Sequence, residues 1–311
     1  MTTNARPLEG KVAIVTGAGR GLGRAEALAL AAHGARVVIN DLGVAGDGSG
    51  ADEGPAREVV AEIERAGGEA IAHFGDVARW DDAAALVARA VDVFGDLHVL
   101  VNNAGFSRDR MIFNMSEQDW DSVIRVHLKG HFCTSRFATA HWREQAKVAG
   151  GPVYGRIVNT ASEAFLFGPA GLANYAAAKS GIVGLTVATA HACEKYGVTA
   201  NVVCPRARTR MNSEGSLGAL FAKPEQGFDT YDPANVAPLV AYLASPAAGR
   251  INAHVFLAWG TQVCLIGAPR VLETFTSDAR WTVDRLDERV GRYLETRDPA
   301  STAFAAELPG I

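Results

Sequence analysis

The feature that most constrains this chain lies near its start. Val12-Ala13-Ile14-Val15-Thr16 runs directly into Gly17-Ala18-Gly19-Arg20-Gly21-Leu22-Gly23, and Arg24-Ala25-Glu26-Ala27-Leu28-Ala29-Leu30 follows with helical spacing. A β-branched run, a glycine turn and a helix, in that order, form a βα unit whose turn brings bare backbone close to whatever sits above it. Gly17, Gly21 and Gly23 allow the approach of a pyrophosphate, and the helix opening at Gly21-Leu22 offers unpaired N–H groups and a positive dipole end to an anion. The alternative is a glycine-rich turn that holds no ligand.

The rest of the chain repeats the alternation. Short apolar runs at Arg36–Asn40, Glu69–His73, Leu97–Val101, Arg156–Thr160 and Val198–Val203 read as buried strands. Between them, residues 21–33, 53–66, 81–94, 116–147 and 172–196 carry Ala, Leu and Val at three- and four-residue intervals and read as helices. A further helix is expected near Asp232–Ala244 and a last strand near His254–Trp259. This predicts an α/β fold of the Rossmann-like, doubly wound type, with about seven parallel strands and helices on both faces. Residues 1–268 are expected to form one domain, with a substrate loop near 206–230, and residues 269–311 a C-terminal extension in which Val283, Leu286, Val290 and Tyr293 share a helical face. The stretches Gly43–Gly54 and Lys147–Gly155 read as surface loops.

Strand ends carry the next clues. Asp41 stands eighteen residues beyond Gly23, at the end of the second strand, where a carboxylate can accept hydrogen bonds from both ribose hydroxyls of an adenosine. It would repel a 2′-phosphate, whereas Arg20 would attract one; a fixed repulsion outweighs a flexible arginine, so NAD is expected and NADP disfavoured. Asp41 has an alternative as a turn or capping aspartate. Asp76 and Val77 follow the third strand, and Asn102-Asn103-Ala104-Gly105 the fourth. Ligands of open parallel sheets bind at that edge, so these residues are expected around the cofactor, with Asn102 and Asn103 equally able to bond neighbouring backbone.

Composition excludes several classes. With 30 Lys+Arg against 34 Asp+Glu there is no positive field for nucleic acid. Cys133, Cys193, Cys204 and Cys264 form no CxxC pair, so neither a metal site nor a disulfide framework is expected, and a reducing cytoplasm fits. No apolar run approaches a membrane span, and the first seven residues have no signal-like character.

Thr16-Gly17-x-x-x-Gly21-x-Gly23, Asn102-Asn103-Ala104-Gly105 and Tyr175-Ala176-Ala177-Ala178-Lys179, with Ser162 thirteen residues before Tyr175, resemble the short-chain dehydrogenase/reductase family over roughly residues 8–260. Val38–Gly43, Val126–Phe132, Arg208–Met211 and Val236–Val240 resemble one branch of it, holding the dehydrogenase domain of peroxisomal multifunctional enzyme type 2 (17β-hydroxysteroid dehydrogenase type 4) and actinobacterial steroid-degradation relatives. The resemblance implies NAD-dependent oxidation of a 3-hydroxyacyl-CoA or a steroid alcohol. An NADPH-dependent 3-oxoacyl-carrier-protein reductase and a non-catalytic nucleotide-binding module are the competing readings.

Tyr175 and Lys179 are four apart on a helix and rise from one face, so an ammonium can favour the phenolate, and Lys179 can also hold the nicotinamide ribose. Ser162 would orient the substrate oxygen. Where the broad family has a relay asparagine this chain has His127, which either bonds a water or main-chain carbonyl or is a buried histidine satisfied structurally. The resemblance also places Pro205 and Thr209 at the nicotinamide. Arg206 stands where the family commonly has glycine, and Arg206, Arg208 and Arg210 are either grips for CoA phosphates or solvated loop arginines. Leu217, Leu220, Phe221 and Phe228 have the composition of a lid, and Phe106, Met111, Phe165 and Phe167 are candidate pocket residues. A homodimer or homotetramer is expected through the segments 116–147 and 172–196.

Overall fold

Along the first strand, β1 (Val12–Thr16), side chains alternate between two cores: Ala13 and Val15 belong to one cluster, Val12 and Ile14 to the other. A strand buried on both faces needs helices above and below, and the chain supplies them. On one side α1 (Gly21–Ala32), α2 (Gly54–Arg65) and α8 (Ala237–Ala244) contribute Leu30, Ile63 and Leu243. On the other, α3 (Trp80–Phe94), α5 (Gly130–Ala149) and α7 (Ala173–Cys193) contribute Leu86, Trp142 and Ala190. Each fully buried Leu or Ile side chain contributes about 1.5–3 kcal/mol. Trp142 satisfies its indole N–H by donating to the Leu97 carbonyl at 2.7 Å. This computed structural model describes residues 6–45, 48–211, 218–219 and 221–302.

The other strands are β2 (Arg36–Asn40), β3 (Ala70–His73), β4 (Val99–Asn102), β5 (Gly155–Thr160), β6 (Val198–Pro205), β7 (Val255–Trp259) and β8 (Gln262–Ile266). They lie in the order β3-β2-β1-β4-β5-β6-β7-β8. The chain winds outward in one direction from β1 to β3, then crosses back to β4, so strand order reverses between β1 and β4. Loops leaving the C-terminal edge diverge there and open a crevice.

The seven parallel strands are joined by an eighth, and three expectations are corrected. Gly260 turns β7 back into an antiparallel β8, which pairs Val255 with Ile266 through Trp259 with Gln262. β3 is not fully buried: it is an edge strand with only Ala70 fully covered. The helix expected over 116–147 is three segments, α4 (Glu117–Ile124), a π-helical turn at Arg125–Lys129, and α5. The π turn inserts one residue into the hydrogen-bond ladder without breaking the apolar pattern, so periodicity alone does not reveal it. The helix expected from 172 to 196 ends in a 3-10 turn at Glu194–Tyr196.

The chain divides into two units, one ending at Ile266 and one beginning at Gly267. Within the second, a helical run from Val283 to Glu295 starts at a Thr282 cap, and Phe275 packs edge-on against Tyr293 at 5.2 Å. Val283 and Leu286 on the expected apolar face are exposed. Among the described residues no helix is long and apolar enough to cross a membrane, and no cluster of His, Cys, Asp and Glu is placed to hold a metal.

Candidate active site

The glycine turn forms the floor of a cleft of about 340 Å³ at the C-terminal edge of the sheet. Gly17 takes φ +63°, and a Cβ there would lie 2.7 Å from the Ala104 Cα; one on Gly23 would lie 2.4 Å from the Gly17 carbonyl oxygen. A Cβ on Gly21, at φ +55°, would meet nothing within 4 Å, because that position faces open space. The turn thus needs its glycines for its own closure and presents bare backbone to the cleft, which fits a dinucleotide pyrophosphate at the start of α1.

Gly17, Arg20, Gly21, Leu22, Asp41, Asp76, Val77, Asn103, Ala104, Gly105 and Thr209 all border the cleft. The Asp41 carboxylate accepts the Gly19 N–H at 2.7 Å and the Gly43 N–H at 2.6 Å, so it is held at the rim while keeping acceptor capacity for a ligand. Arg20 lies 3.7 Å from Asp52 in an exposed pair. Asp76 accepts from Arg125 at 2.7 Å and from the Ala78 N–H at 2.9 Å. Ser122, Arg125 and Val126 also border the cleft and were missed from sequence; their three- and four-residue spacing on one helical face is the signal that could have found them.

The two asparagines act as struts. Asn102 donates to the side chains of Ser135 at 3.1 Å and Asn159 at 2.9 Å, while Asn103 donates to the carbonyls of Thr16 and Gly17, each at 3.1 Å. They tie β4 to its neighbours and to the glycine turn at the point where strand order reverses.

Ser162, Tyr175 and Lys179 come together beyond the cleft. Ser162 leaves β5 and accepts the Ala164 N–H at 3.2 Å at the start of α6 (Ala164–Phe167), and its hydroxyl favours the Tyr175 phenolate. Lys179 is buried, donates to the Thr160 carbonyl at 2.7 Å, and lies 5.4 Å from the Tyr175 ring centre. The electrostatics differ from the expectation that the ammonium depresses the tyrosine. Burial pushes Tyr175 up to about 12 and Lys179 down to about 7, so desolvation governs both groups. The lysine is turned toward a main-chain carbonyl, which accounts for its weak hold on the phenol.

His127 lies in the π turn and packs edge-on against Tyr175 at 5.3 Å. Its Nε2 lies 2.7 Å from the Phe106 carbonyl oxygen. Burial, with the Lys179 charge behind it, lowers His127 well below the usual histidine range, so the ring is neutral. Pro205 ends β6, paired with Ala258 of β7, and does not border the cleft.

The three arginines have separate fates. Arg206 is buried on Glu163, Arg208 pairs with Asp229 and donates to the Phe221 carbonyl, and Arg210 borders the cleft and donates to the Val44 carbonyl at 3.1 Å. Of the expected substrate loop, residues 212–217 and 220 lie outside the described residues, Leu217 and Leu220 among them. Phe106 borders the cleft, and Met111 borders a separate apolar hollow of about 240 Å³ with Ile112 and Pro169.

A doubly wound sheet with a glycine-floored cleft at its reversal point defines a dinucleotide-binding α/β protein. Comparison with known proteins narrows this. A family model described as short chain dehydrogenase matches residues 11–216. Hydroxyacyl-CoA dehydrogenase ChsB1 of Mycobacterium tuberculosis is 48% identical over 309 residues, spanning 99% of this chain and 96% of that protein. Peroxisomal multifunctional enzyme type 2 of Mus musculus is 43% identical over 235 residues, 76% of this chain and 30% of that longer protein. A crystal structure of a short chain dehydrogenase from Mycobacterium avium superposes with a TM-score of 0.83 at 45% identity, covering 98% of this chain and 99% of that one. The chain belongs to the short-chain dehydrogenase family, and is an oxidoreductase that acts on CH–OH groups with a nicotinamide cofactor.

Proposed function

We propose that this protein oxidises a 3-hydroxyacyl-CoA with NAD. The observation that carries the reading is near end-to-end similarity to a hydroxyacyl-CoA dehydrogenase in a chain that holds Ser162, Tyr175 and Lys179 together. Tyr175 takes the proton of the substrate hydroxyl, as its position against Ser162 allows. Ser162 donates to the substrate oxygen, fixes its orientation and stabilises the negative charge that develops as the proton leaves. NAD, held in this site, would supply the hydride acceptor for the carbinol carbon. Lys179 would hold the nicotinamide ribose hydroxyls, Thr209 and Pro205 would lie toward the nicotinamide, and the turn from Gly17 to Gly23 would hold the pyrophosphate. Asp41 receives the adenosine ribose hydroxyls and turns away a 2′-phosphate. His127 braces the Tyr175 ring and the Phe106 main chain.

Exposed Phe132 on α5 and Trp80 at the start of α3, their rings 6.1 Å apart, support a homo-oligomer built on that face. The test of function is NADH absorbance on mixing the protein with NAD and a (3R)-hydroxyacyl-CoA, with NADP and a 17β-hydroxysteroid as separate arms. Fast turnover of the acyl-CoA with NAD is expected. Turnover of the steroid alone, or only with NADP, overturns the reading.

A further inference from the structure

We propose that Glu163 and Arg206 are a positioning pair that holds the Ser162 hydroxyl against Tyr175. Each directly follows a residue of the site: Glu163 follows Ser162 on the loop leaving β5, and Arg206 follows Pro205 at the end of β6. These strands are parallel neighbours, with Thr160 opposite Val203, so the pair spans two adjacent loops at the edge where the chemistry takes place.

The contact is centred on Nε. Arg206 Nε lies 2.9 and 2.8 Å from the two Glu163 oxygens, and Nη2 lies 2.7 Å from Oε2. The guanidinium also stacks on the Trp259 ring of β7 at 4.4 Å, and the Arg206 main-chain N–H donates to the Ala258 carbonyl at 3.0 Å. One side chain thus joins the C-terminal ends of three consecutive strands, β5, β6 and β7. It is only 7% exposed and engaged with a carboxylate, so it is not presented to a substrate phosphate.

Stability does not explain such a pair. Removing two charges from water costs about what their attraction returns, and well-packed apolar residues of similar volume do as well or better. A fixed pair does provide geometry, because a planar guanidinium whose Nε donates to both carboxylate oxygens and whose face stacks on an indole has one orientation. The loop it fixes is short. Ser162 accepts the Ala164 N–H while its hydroxyl acts on the Tyr175 phenol, and Glu163 is the single residue between Ser162 and Ala164. Swinging Glu163 away turns that segment and withdraws the hydroxyl.

The experiment compares Glu163→Gln, Arg206→Gln, Arg206→Lys and the double Glu163→Gln/Arg206→Gln with wild type. It measures kcat and KM for 3-hydroxybutanoyl-CoA oxidation by NAD, thermal unfolding, and crystal structures. Each single variant, the lysine included, is expected to lose about ten- to a hundredfold in kcat with KM changed less than about threefold, the size of effect that misplacing a reacting group produces. The double variant leaves no lone buried charge and is expected to unfold close to wild type while keeping the kcat loss. In the crystal structures the Ser162 hydroxyl is expected to leave Tyr175. Retention of kcat by Arg206→Lys, full activity in the double variant, or an undisturbed Ser162–Tyr175 contact overturns the proposal. The inference rests on the alcohol chemistry of the family: if wild type does not oxidise the acyl-CoA, the reading of substrate fails, and the variant structures still decide the positioning role.

Discussion

The carboxylate of Asp41, at the end of β2, accepts the main-chain N–H of Gly19 inside the glycine turn at 2.7 Å. The acid and the turn, twenty-two residues apart, are therefore one preformed unit. A 2′-phosphate at that rim would meet a carboxylate that cannot swing aside without losing this bond and the one to the Gly43 N–H. Asp41→Ala is expected to lower kcat/KM for NAD and raise it for NADP, shifting the NAD/NADP preference by about tenfold or more toward NADP, since removing a like-charge clash is worth at least about 1.4 kcal/mol. An unchanged ratio of the two kcat/KM values would contradict the role given to Asp41.

The Ser162 hydroxyl favours the Tyr175 phenolate, but burial outweighs it and raises the phenol to about 12. Tyr175→Phe is expected to cut turnover by about 10²–10⁴-fold and to leave NADH binding, followed by fluorescence, within a few-fold of wild type. The sign of the pH dependence follows from the raised value. The deprotonated phenol is the base, its fraction in the free enzyme grows with pH below about 12, and kcat/KM for oxidation should climb between pH 7 and 9. A profile that falls over that range would be inconsistent with Tyr175 as the base.

What the sequence shows depends on how local the physics is. The β1 turn and α1 are legible because strand, glycines and helix are contiguous and each obeys its own period. The grouping of Ser162 with Tyr175 and Lys179 is legible because two of the three share a helix face. β8 is not: Val263 and Leu265 alternate with half-buried residues on an exposed edge, a pattern too short to separate from a tail. The π turn at His127 adds a residue inside an apolar pattern that continues through it. The Arg206–Glu163 pair joins residues forty-three apart, and only the tertiary neighbours of Arg206 decide whether it grips a phosphate or a carboxylate.

Gly105 is closed to any side chain by the histidine beside it. A Cβ on Gly105 would fall 2.1 Å from His127 Cε1, and that ring is held by its contact with the Phe106 carbonyl. Gly105→Ala is expected to destabilise the protein by about 1–3 kcal/mol, the usual cost of overpacking, and to lower kcat by displacing the ring that braces Tyr175. In a His127→Ala background the same substitution should cost far less in thermal unfolding, because the obstructing ring is gone. Equal costs in both backgrounds would show that His127 is not the obstacle.

Glu26, on the buried face of α1, has a side-chain oxygen with no hydrogen-bond partner, and burial raises its carboxyl from 4.5 to about 8. The folded protein therefore keeps the acid protonated where the unfolded chain has released the proton. Stability from this group is fully present below the unfolded value of 4.5 and is lost as pH rises toward the folded value of about 8, because the native state binds the extra proton throughout that window. The slope is about 1.4 kcal/mol of lost stability per pH unit, and above about pH 8 the loss levels off. Glu26→Gln keeps the shape and carries no titratable group, so its advantage over wild type should be small at pH 5 and grow to a few kcal/mol at pH 8. Urea unfolding of both proteins across pH 5–8 measures this directly. Parallel stability curves would mean that Glu26 is not protonated in the native protein.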